Sequence, residues 1–305
     1  AEGDEIVVTV TDHESNIGPW MLLAERGVQF RFWEPDPETL ELNLADLDAL
    51  LTARTKLVAV TATSNILGTV NDIPAIARRV HDAGALICVD AVACAPHRAI
   101  DVQAWDVDYL FFSIYKTFGP HFAALYGRYE LLAELDGLYH YFYGKDRVPM
   151  KLEPGNASYE LAYASSAIPD YLADLGGELG ASGDARARIE AAWGAITRHE
   201  GRLAERLLAW LRDRNDARII GRPRGDDPDR ASILAFRIDG RDAGEIARAL
   251  DDHHLAVRFG DFHARRLIEH VGLTDHGGVL RVSMAHYNTQ DEVDRLITGL
   301  DQVLA

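Results

Sequence analysis

Cysteine is scarce in this 305-residue sequence, which contains only Cys88 and Cys94. The two lie in one apolar stretch and have neither the spacing of zinc ligands nor that of a disulfide framework, which is typical of a reducing cytoplasm. No apolar run approaches the roughly 20 residues that a membrane-spanning helix needs. The first residues, AEGDEIVV, have neither the basic segment nor the apolar core of a signal peptide. We therefore expect a cytoplasmic protein with no membrane partner.

Basic residues are also few. Lysine and arginine number 31 against 48 aspartates and glutamates, which gives a net charge of −17 and a sequence pI of about 5.1. A surface this acidic repels phosphate backbones, so nucleic acid is not an expected partner. Because 48% of the residues are hydrophobic, the composition excludes intrinsic disorder, and the length suffices for one large domain or two ordinary ones.

Residues 5 to about 135 alternate apolar strands with helices. The strand segments are DEIVVTVTDH, KLVAVTATSN, ALICVD and VDYLFFS. Asp72 as a cap, Pro74 in the first turn and Gly84 as a stop predict a helix over 72–83. Continuous apolar runs between helices favour a parallel sheet that is covered on both faces.

The second half of the chain has a different pattern. Apolar residues near helical spacing predict a long helix over about 184–214, and GRPRGDDPDR at 221–230 is typical of a loop. Beyond it follow strand SILAFRI, helix DAGEIARALDD, strand LAVRF, a short helix, strand VLRVSMA and a closing helix from about Gln290. We therefore expect an α/β protein with a mainly parallel large domain over 1–185 and a smaller α+β domain over 186–305.

Polar residues end the four predicted strands of the first domain: His13, Asn65, Asp90 and Lys116. Ligands of an open α/β sheet bind at the carboxyl ends of its strands, so we expect these four residues to share one site. An aspartate, a lysine and an imidazole together suit pyridoxal phosphate, with Lys116 forming a Schiff base, Asp90 facing the pyridine nitrogen and His13 stacking on the ring. We expect Asn65 to donate to the ring's phenolate oxygen and Ser113 to bind the phosphate.

Lys116 is the lysine best suited to this chemistry. A Schiff-base lysine must be desolvated or close to another cation to be nucleophilic at neutral pH. Lys116 lies between FFS and a Gly-Pro turn, whereas Lys56 opens a strand and Lys145 and Lys151 lie in a polar loop. Taken singly, a strand-end aspartate, lysine or histidine is more often a cap, a solvated charge or a turn residue. The four together, at the spacing of successive strand–helix units, favour the functional interpretation.

These residues lie in segments that resemble the class V aminotransferase family of fold-type-I pyridoxal phosphate enzymes, in particular its cysteine desulfurase-like branch. The similar segments cover most of the chain in the right order. They are DHESNIGPW (12–20), TKLVAVTATSNILGTVNDI (55–73), VDAVACAPHRAIDVQAWDVDYLFFSIYKTFGP (89–120), LAVRFGDFHA (255–264) and VLRVSMAHYNTQDEVDRLITGL (279–300). The resemblance implies the type I fold and pyridoxal 5'-phosphate as the cofactor.

The resemblance also implies a role for single residues. Lys116 is then the lysine that holds the cofactor, Asp90 the partner of the pyridinium and His13 the stacking ring. The remaining implied contacts are Asn65 to the phenolate oxygen, Ser113 and Tyr115 to the phosphate, and Arg281 to the substrate α-carboxylate, bidentate by geometry. The family is dimeric with sites at the interface, which implies a homodimer in which the 137–160 loop contributes to the neighbour's phosphate pocket.

Four departures from the family pattern limit what the resemblance implies. His263 stands where desulfurases have their nucleophilic cysteine, and neither Cys88 nor Cys94 can replace it, so we do not expect the persulfide mechanism. Ala93 replaces a glutamine or histidine that contacts the cofactor oxygen. Asn156 follows Gly155 where the family has Gly-Thr, and asparagine still donates.

The fourth departure is that the family's N-terminal portion, with its phosphate-binding Gly-Thr-rich turn, has no counterpart in this sequence. The sequence is then either a fragment or that of a protein with weakened cofactor affinity. His263 is interpreted as a substrate-binding acid or base, or else as a solvated loop histidine. The aromatic run 139–143 is interpreted as interface packing or, less directly, as a lid.

Two function classes follow. The leading hypothesis is a pyridoxal phosphate enzyme that acts on a small L-amino acid by β-elimination (a C–S or C–Se lyase), transamination or epimerisation, with Lys116 moving the α-proton. The alternative is a non-catalytic relative that serves as a binding or scaffold protein, as Ala93 and the missing segment suggest. A nucleotide-binding protein is disfavoured, because no strand is followed by a Gly-rich phosphate fingerprint. His253 and His254 resemble a metal site but end an amphipathic helix, which suits their charge.

Overall fold

Two sheets of different topology organise the chain in the computed structural model, which describes residues 1–138, 141–153 and 155–305. The first sheet has six strands in the order β2-β1-β3-β4-β5-β6. Their bounds are Glu5–Thr9 (β1), Gln29–Trp33 (β2), Thr55–Thr61 (β3), Leu86–Asp90 (β4), Tyr109–Ser113 (β5) and Ala123–Gly127 (β6). All neighbours are parallel except β5 and β6, which are antiparallel.

The second sheet has four antiparallel strands in the order β7-β8-β10-β9. They are Ala217–Ile220 (β7), Ile233–Ile238 (β8), Arg258–Gly260 (β9) and Val279–Ser283 (β10). The helices are Gly18–Met21 (α1), Leu44–Leu50 (α2), Ile73–Asp82 (α3), Tyr129–Glu134 (α4), Tyr159–Ser165 (α5), Ala167–Glu178 (α6), Ala185–Arg212 (α7), Ala243–Asp251 (α8), Arg265–His270 (α9) and Gln290–Leu304 (α10). Among the described residues, no helix is both long and apolar enough to cross a membrane.

The predicted α/β class and the mainly parallel sheet are confirmed. Valine and isoleucine dominate β1, β3 and β4, whose β-branched side chains suit a sheet buried on both faces. One face packs against α2 and α3, and the other packs against the segment around α1. Helix α3 begins as predicted, with the Asp72 side chain accepting a hydrogen bond from the Ala75 N–H at 3.0 Å.

Strands β2, β6 and β7 are not predicted from the sequence. Strands β2, with the sequence QFRFW, and β6, with AALYG, form the two edges of the first sheet. An edge strand needs only one protected face, so its sequence lacks the continuous apolar run that reveals a central strand. The antiparallel direction of β6 has no signal in the sequence that we can identify.

Helix α7 contacts both halves of the chain. Its N-terminal half, with Ala192, Trp193 and Ile196, packs against Leu172 of α6. Its C-terminal half packs against the second sheet through a row of leucines that ends at Leu211. This arrangement agrees with the proposed division near residue 185, which stays a prediction.

A tight backbone contact joins the two sheets beside the strand ends. The Gly68 carbonyl accepts from the Ala231 N–H at 2.8 Å, and a Cβ on Gly68 would lie 2.4 Å from the carbonyl oxygen of Ile233. Arg230 is buried here, and its guanidinium donates to backbone carbonyls, including that of Ile233 at 3.3 Å. The predicted loop at 221–230 is thus a loop, and it holds the second sheet close to the carboxyl ends of the first.

Candidate active site

The carboxyl ends of β1, β3, β4 and β5 face the second sheet across a cavity of about 960 Å³. This position is expected for a ligand site in an open α/β sheet. Eight of the nine site residues expected from the sequence line the cavity: His13, Asn65, Asp90, Ser113, Tyr115, Lys116, His263 and Arg281. Asn156 is exposed and is not among the residues that line this cavity.

Asp90 is the last residue of β4 and is 3% exposed. Its Oδ1 accepts a hydrogen bond from the Val92 N–H at 2.8 Å. Burial raises the pKa of Asp90 to about 6, although this N–H and the charge of Lys116 favour the ionised form. No basic side chain in the described part of the chain lies within ion-pair distance of Asp90. A buried carboxylate of this kind calls for a cationic ligand.

Lys116 ends a short 3₁₀ helix, Ile114–Lys116, directly after β5. The sequence predicts a lysine that is either desolvated or close to another cation. The first alternative is wrong for the chain by itself, because Lys116 is exposed. Its side chain lines the cavity rather than packing into the core, with Nζ 5.8 Å from the centre of the Tyr115 ring. Its charge is close enough to lower the pKa of His13 and to favour ionised Asp90.

His13 follows β1 and caps a 3₁₀ helix, Glu14–Asn16. Its Nδ1 accepts a hydrogen bond from the Ser15 N–H at 3.1 Å, so a neutral ring carries its proton on Nε2. Partial burial lowers the pKa of His13, and the nearby charges of Lys116 and His263 lower it further. The ring is therefore a neutral flat surface in the cavity wall at neutral pH.

Arg281 lies in β10 and reaches back to the end of β3. Its Nη1 donates to the Asn65 carbonyl at 3.0 Å, and its guanidinium carbon lies 3.9 Å from the centre of the Phe262 ring. Burial lowers the pKa of Arg281 to about 10, which still leaves it charged at neutral pH. The Asn65 side chain donates through Nδ2 to the Phe262 carbonyl at 2.9 Å. These contacts hold one guanidinium in a fixed orientation at the cavity wall.

The loop that carries His263 has an unusual backbone. Gly260 has φ +124°, and Phe262 and His263 have φ values of +51° and +59°, in the left-handed region that side chains disfavour. The His263 N–H donates to Asp261 Oδ1 at 3.0 Å, and its carbonyl accepts from the Glu14 N–H at 2.7 Å. The ring centres of His263 and His13 are 5.2 Å apart. Such strained conformations cluster at functional sites.

Both cysteines are buried and neither lines the cavity. Burial raises the pKa of Cys88 to about 12 and that of Cys94 to about 11. Neither thiol therefore ionises near neutral pH, and a thiolate is the reactive form. This agrees with the expectation that no cysteine of this chain accepts sulfur.

Two groups are not predicted from the sequence: Asp12, which is buried near Asp90 without lining the cavity, and His97, which lines it. Asp12 is fully buried, accepting from the Thr61 N–H at 3.0 Å. Burial raises its pKa to about 7, and the nearby charge of Asp90 acts in the same direction. His97 lines the cavity and pairs through Nδ1 with the buried Glu200 of α7 at 2.9 Å. The signal for Asp12 was present, because it directly precedes His13.

Three other expectations concern the surroundings of the site. Lys151 is buried and donates through Nζ to the carbonyls of Ala133 and Leu135 at 2.8 and 2.7 Å, so its assignment to a polar loop is wrong. Of the aromatic run 139–143, residues 139 and 140 lie outside the described residues, and Tyr141 is fully exposed. Within residues 1–138, 141–153 and 155–305, no group of side chains could hold a metal ion. The paired histidines after α8, His253 and His254, therefore do not form part of such a group.

A mainly parallel sheet with its cavity at the strand ends, joined by a long helix to a small antiparallel sheet, defines the type I fold of pyridoxal phosphate-dependent transferases. Comparison with known proteins identifies the family. The sequence matches the family described as aminotransferase class-V over residues 1–296. The chain belongs to this family.

Similar proteins come from fungi, bacteria and archaea. Aminotransferase-like protein FGM3 of Gibberella zeae is 39% identical over 307 residues, which span 99% of this chain and 73% of FGM3. A cysteine desulfurase of Dickeya dadantii is 35% identical over 316 residues, 99% of this chain and 70% of that protein. The crystal structure of the cysteine desulfurase CsdA from Escherichia coli superposes with a TM-score of 0.84 at 28% identity, covering 99% of this chain and 72% of CsdA.

Proposed function

We propose that this protein is a pyridoxal phosphate-dependent enzyme that acts on a small L-amino acid by β-elimination or transamination. One observation carries the proposal: Asp90, a buried carboxylate without an ion-pair partner among the described residues, lines the same cavity as the amine of Lys116. A pyridinium ring with an aldehyde fits this pair, because the carboxylate stabilises the ring's positive charge and the amine forms a Schiff base with the aldehyde.

The other lining residues fit the remaining parts of the cofactor. His13 offers a neutral ring for stacking, and Asn65 retains a second amide hydrogen for the phenolate oxygen besides the one it donates to Phe262. Ser113 and Tyr115 would bind the phosphate. Asn156 would reach the phosphate of a second subunit, which makes the protein a homodimer. When bound, pyridoxal phosphate serves as an electron sink for the bond that breaks at the substrate Cα.

The chain's own residues bind and orient the substrate. Arg281 takes the α-carboxylate through two parallel hydrogen bonds, because its fork is already fixed by Asn65 and Phe262. The Lys116 amine, once free, removes the α-proton. His263 lies beside the substrate as a further binding residue. Persulfide chemistry is not part of the proposal, because both cysteines are buried outside the cavity and have raised pKa values.

The visible absorption spectrum of the purified protein tests the cofactor. We expect the full chain with added pyridoxal phosphate to show a visible band that shifts with pH or on adding an amino acid, and Lys116→Ala to lack it. Lys56→Ala, at an exposed lysine of β3 outside the cavity, is the matched control and should keep the band. A protein that stays colourless with added cofactor would contradict the proposal and support a binding or scaffold function.

Product analysis distinguishes the two reactions. Pyruvate released together with sulfide or another thiol would identify β-elimination, whereas a keto acid formed only with an amino-group acceptor would identify transamination. A series of small L-amino acids, each tested with and without an acceptor, separates the two outcomes. Absence of both products from every amino acid would contradict the enzymatic function.

A further inference from the structure

Three imidazoles line the cavity, and they differ in how they are used. His13 Nδ1 accepts from the Ser15 N–H, and His97 Nδ1 pairs with Glu200 at 2.9 Å in a buried setting. The His263 ring, in contrast, has no hydrogen-bond partner within the described ranges. His263 is therefore the imidazole of the cavity that has both ring nitrogens available to a bound molecule.

The backbone that carries this ring is fixed. The carbonyl of Phe262 accepts from the Asn65 side chain at 2.9 Å, and the carbonyl of His263 accepts from the Glu14 N–H at 2.7 Å. The Glu14 carboxylate also bonds Arg266 at 3.1 Å. Both loop residues are held in the left-handed region, which an unconstrained chain would leave. The fold thus keeps His263 in one place while leaving its ring free.

This place is beside the substrate rather than beside the cofactor phosphate. The ring of Phe262, the residue before His263, lies 3.9 Å from the Arg281 guanidinium carbon. His263 therefore follows directly in sequence a residue that contacts the proposed α-carboxylate-binding group. Its ring centre is 5.2 Å from that of His13, the proposed stacking ring. A substrate held between these residues has its side chain within reach of the His263 imidazole.

We infer that His263 is a catalytic acid that protonates the leaving group of a β-elimination, and that the substrate is a small L-amino acid whose β-leaving group takes up a proton as it departs, such as a thiol or a hydroxyl. The inference rests on the proposed cofactor function. Lys116 takes the Cα proton, the Cβ–X bond breaks with its electron pair on X, and the His263 imidazolium gives its proton to X. HX leaves, and water then converts the remaining three-carbon unit to pyruvate and ammonia, so no oxidant or reductant is needed.

The dependence on leaving group tests this role. Chloride leaves without a proton, hydroxide is a strong base that leaves only when it is protonated, and hydrosulfide lies between the two. For His263→Gln in the holoenzyme, we expect pyruvate formation from L-serine to fall by about 100-fold or more, the usual contribution of a general acid, and pyruvate formation from L-cysteine to fall by less. Pyruvate formation from β-chloro-L-alanine should stay near that of the wild type.

Two controls make the result interpretable. His276→Gln changes an exposed histidine outside the cavity and should leave pyruvate formation from all three amino acids unchanged. The visible cofactor band reports that the variant is folded and loaded. The inference is wrong if His263→Gln loses activity equally on L-serine and β-chloro-L-alanine, or if it loses activity on neither. It is also wrong if the wild type forms pyruvate from none of the three amino acids. Loss of the cofactor band in the wild type would instead contradict the proposed function itself.

Discussion

Arg281 offers a quantitative test of substrate binding. The guanidinium is charged at neutral pH, since burial lowers its pKa only to about 10. One edge donates to the Asn65 carbonyl at 3.0 Å, and the plane stacks on Phe262 at 3.9 Å. Arg281→Lys keeps the charge but loses the fork and the stacking, and such a replacement is not conservative.

The expected magnitude follows from the lost contacts. A lysine keeps one charge-assisted hydrogen bond to the α-carboxylate and loses the second, which is worth about 1.5–3 kcal/mol. At about 1.4 kcal/mol for each factor of ten, the affinity for an amino acid should fall roughly 10- to 150-fold. The affinity of Arg281→Gln should be lower still, because this variant also lacks the positive charge.

The assay is titration of the cofactor absorbance with a small L-amino acid and, in parallel, with the corresponding amine that lacks the carboxylate. The amine cannot use Arg281, so its affinity should be the same for wild type and Arg281→Lys. Equal weakening of both ligands would indicate a general disturbance of the Asn65–Phe262 contact. Unchanged affinity for the amino acid would refute carboxylate binding by Arg281.

Three further predictions concern the cysteines, the helix packing and the sheet. Replacement of both Cys88 and Cys94 by alanine should leave turnover unchanged, and a thiol reagent should label the wild type only after unfolding; loss of turnover would contradict the cysteine-independent chemistry. Gly176→Ala should lower the free energy of unfolding in urea by about 2 kcal/mol, because its Cβ would lie 2.0 Å from a backbone carbonyl of α7. The control Gly177→Ala makes only ordinary contacts and should leave this free energy unchanged or raise it by up to about 1 kcal/mol. Equal effects of the two variants would argue against the α6–α7 contact. Burial disfavours the charged form of Glu5, but hydrogen bonds from a threonine and two arginines outweigh it and lower the pKa to about 2. Glu5→Gln should therefore lower the free energy of unfolding above pH 4.5, and its difference from the wild type should shrink as the pH falls towards 2. A difference independent of pH would show that Glu5 is not ionised in the folded protein.

Much of the site is predictable because it follows from strand ends. The strands before His13, Asn65, Asp90 and Lys116 have strongly apolar sequences, and parallel strands necessarily bring their carboxyl ends to one edge. The sequence therefore reveals the cavity residues even though they are up to 103 positions apart in the chain, from His13 to Lys116. Arg281 and His263 come from the resemblance, since Arg281 lies in the second sheet and His263 in the loop after β9. The position of this sheet relative to the first has no local signal.

Other features depend on tertiary contacts that no local pattern encodes. The left-handed conformations of Phe262 and His263 are held by partners some 200 residues away. Burial of Lys151 depends on two carbonyls at the end of α4 accepting its ammonium. The exposure of Lys116 has no signal in the sequence, because apolar flanking residues do not show whether a side chain points into the core or into a cavity.

The identity of the modified lysine tests the central claim most directly. The sequence contains four lysines, so reduction of the protein–pyridoxal phosphate complex with borohydride, followed by proteolysis and mass spectrometry, locates the linkage among Lys56, Lys116, Lys145 and Lys151. We expect a stoichiometric phosphopyridoxyl adduct on Lys116 alone, and none on the folded Lys116→Ala variant. An adduct spread over the other three lysines, or no adduct at all, would contradict the assignment of this cavity as a pyridoxal phosphate site.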